Sequence, residues 1–216
     1  MAAAGADATT AGRRRTWAAP RIVAGNLAGA GFAAYLLLPN VRFFLYTHEP
    51  IGLVFAIQQA WVGAVFLLRR APQRVSRHPF DWPVAYAAWL ISFLVRPGGD
   101  HPAWAATLGL SVQIAGLALW AWAFAYLARS YGIVPADRGL VTRGPYALVR
   151  HPLYAAYAIG GVGYLMQSFS GWNVLVDATA VGLQLIRIAR EERHLDNRAY
   201  AAYRGRVRWR LLPHVW

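Results

Sequence analysis

"RGPYALVRHPLY", residues 143–154, stands between two long apolar stretches and packs two arginines, a histidine, two prolines and two tyrosines into twelve positions. Proline lacks an N–H and has a fixed φ, so Pro152 suits the first turn of a helix and the residues before it suit an extended approach. The stretch reads as the end of a polar loop and the start of a helix over 152–168, with His151 at the boundary. The turn "SFSGWN" (168–173) then sends the chain back through a second apolar segment, 172–190. A short turn makes the two helices an antiparallel hairpin. At ~1.5 Å per residue each is about 25–28 Å long, so His151 and "REERHLDNRAYAAYRGRV" (190–207) come to one end of it.

The rest of the chain sets this hairpin in a bilayer. Of 216 residues, 57% are hydrophobic and 14% charged, and the apolar ones fall in long blocks. That composition predicts an all-α, polytopic membrane protein. The apolar segments are 22–38, 51–68, 83–96, 103–128, 152–168 and 172–190, giving five to six spans where about 20 residues cross a bilayer. The third is the shortest. Every one of the 22 basic residues is arginine, and all but Arg42 and Arg96 fall in alternate connections, including both ends. The positive-inside bias makes that side cytoplasmic, places both termini there, and needs the third segment to span. The expected product is a multi-pass protein of the bacterial inner-membrane kind. Residues 1–20 read as a disordered cytoplasmic tail, 21–128 as N-terminal transmembrane helices on the acceptor side, and 129–216 as cofactor loop, hairpin and cytoplasmic tail.

The polar groups at the hairpin's mouth are carboxylates (Glu191, Glu192), an imidazole (His151), guanidinium groups (Arg150, Arg187) and phenols (Tyr146, Tyr154, Tyr200, Tyr203). A carboxylate suits paired ribose hydroxyls, aromatic faces suit adenine or a sulfonium, and an arginine or a helix N-terminus suits a carboxylate. Those are the parts of S-adenosylmethionine, and the same set can grip a dinucleotide. With no cysteine and no H-E-x-x-H motif, no metal site is expected.

"LVTRGPYALVRHPLY", followed about 40 residues later by "EE" and then by "YAAYRGRVRWRLLP", resembles the C-terminal half of the isoprenylcysteine carboxyl methyltransferase and phospholipid methyltransferase families. The resemblance covers residues 129–213. It implies a membrane methyltransferase with S-adenosylmethionine at the cytosolic side and a lipophilic acceptor arriving from the bilayer. Position by position, it implies cofactor contacts from Gly144, Tyr146, His151, Tyr154, Glu191, Glu192 and Tyr203, and catalytic roles for Arg150 and His151. Two departures stand out: Ala156 occupies a position commonly glycine, and "HLDNRAY" is short and lacks a Phe-Gly pair.

Blander readings compete for each residue. Arg150 can be a membrane-surface anchor, Glu191 the i+4 ion-pair partner of Arg187, and Asp177 a carboxylate snorkelling at the far surface. A second R-H-P at Arg77-His78-Pro79 lacks the flanking tyrosines and is assigned no role. The basic, aromatic tail is accounted for by anionic headgroups, so membrane lipids rather than nucleic acid are the expected partners. The rival functions are a sterol-reductase-like membrane enzyme using NADPH, a transporter, and a non-catalytic membrane module. Leu153, Ala155 and Ala156 depart from the reductase continuation of the motif.

Overall fold

Helices form at nearly the positions the apolar blocks mark. The described residues of this computed structural model are 7–48, 50–96, 101–195, 197–214 and 216. They divide into two compact units, Met1–Ala71 and Pro72–Trp216. In the first, α1 (Asp7–Thr47) packs against α2 (Pro50–Leu68). Gly29 leaves room for the Phe66 ring, and Arg69 lies over that ring while its Nε donates to Asn26 Oδ1 (2.6 Å). The tail expected to be disordered is helical from Asp7. Its alanines and arginines are strong helix formers.

The second unit contains α3 (Asp81–Leu90), prolonged by a 3-10 turn (Ile91–Leu94), then α4 (Ala103–Leu127), α5 (Pro152–Gln167), α6 (Gly171–His194) and α7 (Arg198–Arg206). Two short strands, β1 (Arg74–Val75) and β2 (Ala136–Asp137), pair antiparallel with Arg74 opposite Asp137. The border expected at 128/129 falls inside this unit, because α4 packs along α5. Small residues make that packing close. A Cβ on Gly109 would lie 2.7 Å from the Gly163 carbonyl oxygen, and one on Gly116 would lie 2.9 Å from the Gly160 nitrogen and 3.2 Å from the Ala156 oxygen. Backbones approach this way at the small-residue interfaces of membrane helices. The glycine of α4 opposite Ala156 offsets the alanine's extra bulk.

The hairpin therefore differs from its expected form. α5 spends its length on α4, while α6 lies against α3 and the 3-10 turn. Asn173, fully buried, stitches that second pairing. It accepts from the Arg96 N–H (2.9 Å) and donates to the carbonyls of Arg96 (2.8 Å) and Ser168 (2.6 Å). The Trp172 indole donates to Leu94 O (2.8 Å), and Arg96 lies over its ring. A fully buried amide with each of these bonds made holds a unique register.

By length and hydropathy, two helical stretches are long and apolar enough to cross a membrane among the described residues, Ile22–Thr47 and Ala103–Ser130, with Leu53–Leu68 a shorter apolar helix. α3 has ten residues and α5 sixteen, about 15 and 24 Å at the α-helical rise. A count of six full spans is thus more than the helix lengths establish.

Candidate active site

Gly144 begins the site. It has a positive φ of 61° at the start of a 3-10 turn, Gly144–Ala147, and a Cβ there would strike the Tyr126 ring at 2.7 Å. Only glycine meets both demands. The turn buries Tyr146, whose carbonyl accepts from the Tyr203 hydroxyl (2.6 Å). Tyr203, Tyr200 and Val207 form a small core with Leu195, which anchors α7 beneath the loop.

Arg150 and His151 follow in a non-helical stretch, since Pro152 disfavours helix before it. Their amides are free to pair, and they donate to the carbonyls of Trp209 (2.9 Å) and Arg210 (2.8 Å). The tail after α7 thereby runs alongside the motif. It brings Arg210 to Glu192, with Nε at 3.2 Å and Nη2 at 3.1 Å from Oε2. Arg150 Nη1 lies 2.8 Å and His151 Nε2 3.2 Å from Glu192 Oε1. Arg150, His151 and Glu192 are all buried. Burial alone would raise the Glu192 pKa. The bonds from His151 and Arg210 and the charges of His151 and Arg150 outweigh it and hold the carboxyl at about 2, against an ordinary 4.5. Burial pushes Tyr203 up to about 12, with the Arg150 charge opposing. One carboxylate against two guanidinium groups leaves this knot net positive.

Glu191 points elsewhere. It is half-buried, and its Oε2 accepts from the Tyr154 hydroxyl (2.9 Å). Its other oxygen has no protein partner among the described residues. Beside it, Arg187 is buried over the Tyr154 ring (5.2 Å) and donates to the Ile133 carbonyl (2.7 Å) and Gln184 Oε1 (3.1 Å). Its Nε is buried without a hydrogen-bond partner among the described residues. The i+4 ion pair with Arg187 does not form within 4 Å among the described residues, where Glu191 is bonded to Tyr154.

Residues 104–202 match the phospholipid methyltransferase family. The matched segment, 99 of 216 residues, holds α4, the motif loop, α5, α6 and the start of α7. It points to a membrane methyltransferase. No curated protein matches the chain. The matched segment contains Gly144, Tyr146, Arg150, His151, Tyr154, Glu191 and Glu192, of which Arg150, His151 and Tyr154 meet the Glu191–Glu192 turn of α6, and Tyr203 lies one residue past the segment's end.

Two participants escaped the sequence reading. Arg210 is the main one: "RVRWR" alternates as an extended strand does, and that alternation was the available sign that the tail lies flat against the motif. Arg187, one of the groups expected at the hairpin's mouth, is buried there. The Ile133 carbonyl carries no side-chain signal at all. Arg150, expected beside reacting groups, is engaged with Glu192 and with the Arg208 carbonyl (3.3 Å).

The donor set fits S-adenosylmethionine. Glu191 offers an open carboxylate oxygen beside an aromatic face, the Glu192 knot offers net positive charge, and Arg187 carries an orphaned buried donor. When bound, that cofactor supplies an activated methyl group on a sulfonium.

Proposed function

We propose that the protein is an S-adenosylmethionine-dependent methyltransferase acting on a lipid-soluble acceptor, embedded with both termini on the cytoplasmic side. The observation that carries the reading is Glu191, whose open oxygen beside Tyr154 is a ready acceptor for ribose hydroxyls. Tyr154 supplies an aromatic face suited to a cation or a base. The Arg150–Glu192–Arg210 knot provides the positive field for an amino-acid carboxylate and fixes His151. Where His151 is neutral, donation from Nε2 to Glu192 leaves Nδ1 as the basic nitrogen.

Methyl transfer from a sulfonium needs alignment and water exclusion more than covalent catalysis. Arg187, buried and one turn before Glu191, is placed to neutralise charge on an anionic acceptor such as a carboxylate. For an amine or hydroxyl acceptor, His151 Nδ1 takes the proton. Isoprenylcysteine-like carboxylates, phospholipids and other small lipids all satisfy these requirements.

Calorimetry of the detergent-purified protein with S-adenosylhomocysteine, and separately with NADPH, tests the reading. Saturable binding of the first supports it. Binding of NADPH alone replaces the methyltransferase with a reductase, and binding of neither returns the chain to a non-catalytic membrane module.

A further inference from the structure

Upstream of the family-matched segment lies another buried carboxylate. Asp81, 5% exposed, accepts from the Ser76 hydroxyl and from Arg190 Nε (2.5 Å). The loop around it is internally organised: the His78 N–H donates to Ser76 Oγ (3.3 Å) and the Trp82 indole to the Ser76 carbonyl (3.3 Å). Arg190 immediately precedes Glu191 and Glu192. A cytoplasmic arginine serving only as a membrane anchor extends toward headgroups, whereas the Arg190 side chain is 23% exposed and bonded inward.

The same loop also holds the segment that contacts Arg187. β1 pairs with β2, Gln73 N–H donates to the Asp137 carbonyl (2.7 Å), and Ser76 N–H donates to the Pro135 carbonyl (3.0 Å). That fixes the 131–138 segment, which presents the Ile133 carbonyl to Arg187 (2.7 Å). One short segment is therefore fastened to α6 by an ion pair and to residues 135–137 by a strand ladder. The best-attested use of a buried polar pair is to set register rather than to add stability, and the register set here is that of the Glu191–Glu192 turn.

We propose that residues 73–82 form a positioning clasp, in which Asp81 acts through Arg190 and β1 acts through Ile133 to hold the Glu191–Glu192 turn in place. The clasp rests on the proposed function only for what the turn is held to bind. Asp81 acts through Arg190 and is a positioning residue.

The test uses the full chain in detergent, with Asp81→Asn, Arg190→Gln and the double variant. Amide exchange is followed at 188–195 and 133–137, and each variant is titrated with S-adenosylhomocysteine. Each single change is expected to raise exchange at 188–195 about tenfold, with α4 and α5 unchanged, because local opening reports local bonds. The double variant is expected to be no worse than the stronger single, as two ends of one interaction are not additive. S-adenosylhomocysteine affinity follows the same pattern, with a loss of about three- to thirtyfold. Should Asp81→Asn fail to fold, Ser76→Ala, which keeps both charges, is expected to raise exchange at the same residues by a smaller factor. Exchange at 188–195 within twofold of wild type, or additive losses in the double variant, overturns the clasp. Absence of binding by the wild type rejects the methyltransferase reading instead, and the exchange data still decide the clasp.

Discussion

Glu192→Gln removes one negative charge from a knot that holds Arg150, His151 and Arg210. The carboxyl sits at about 2 against an ordinary 4.5. At about 1.4 kcal/mol per unit, that shift corresponds to roughly 3 kcal/mol. Taking one partner from a buried ion pair costs about 3–5 kcal/mol, in agreement. The loss should fall on the tail, because the Arg150 and His151 amides donate to Trp209 and Arg210. Once Arg210 loses its anion, those two amides should exchange about a hundredfold faster. The direction with pH follows from the sign of the shift. A folded-state value below the ordinary one gives stabilisation that is complete above about 4.5 and fades as pH falls toward 2. After correction for intrinsic exchange, the wild-type advantage over the glutamine variant should therefore shrink across that window and vanish at its lower end. Amide exchange resolved by mass spectrometry at pH 7 and at low pH makes the comparison. Rates for Arg150 and His151 within threefold of wild type at neutral pH would show that the knot does not hold the tail.

Tyr154→Phe removes the donor to Glu191 and should weaken S-adenosylhomocysteine binding about three- to thirtyfold by calorimetry, with helicity unchanged. Gly116→Leu places side-chain atoms where a Cβ already lies 2.9 Å from Gly160. It should cost about 1–3 kcal/mol by overpacking and lower the melting temperature in detergent, while Gly182→Ala, with open space around it, should leave melting unchanged. Asn173→Ala leaves the Arg96 and Ser168 carbonyls without their donor and should cost about 1–3 kcal/mol in the same melt. Reporter fusions after residues 45 and 170 should report the side opposite to a fusion after 216; the same side for 170 and 216 would break the topology.

The sequence made the helices and the gathering of the motif legible, because apolar blocks and a proline at a helix start act locally. Pro152, the 168–173 turn and the Glu191–Glu192 pair were enough to bring His151 and Glu192 within hydrogen-bond distance across 41 positions. Packing partners were less legible. Gly109, Gly116, Gly160 and Gly163 decide that α5 lies on α4, yet a glycine in one helix does not name the helix it faces. The third segment read as a span from arginine alternation, whereas it is ten α-helical residues and a 3-10 turn. The approach of Arg210 to Glu192 depends on where α7 ends and the extended tail turns back, a tertiary matter with little local signal. The second R-H-P was set aside as chance, yet it lies between Ser76 and Asp81, the pair that holds Arg190.

The tail's engagement with the motif carries a consequence for biosynthesis. Chains emerge from the ribosome N-terminal part first, so α5 and α6 are made before Arg210 exists. Until residues 209 and 210 arrive, the amides of Arg150 and His151 lack their carbonyl partners and Glu192 lacks one of its cations. The site is therefore the last part of the hairpin unit to be completed. A chain that stalls before Arg210 carries every residue of the R-H-P and E-E motifs and still lacks the fastening that holds them.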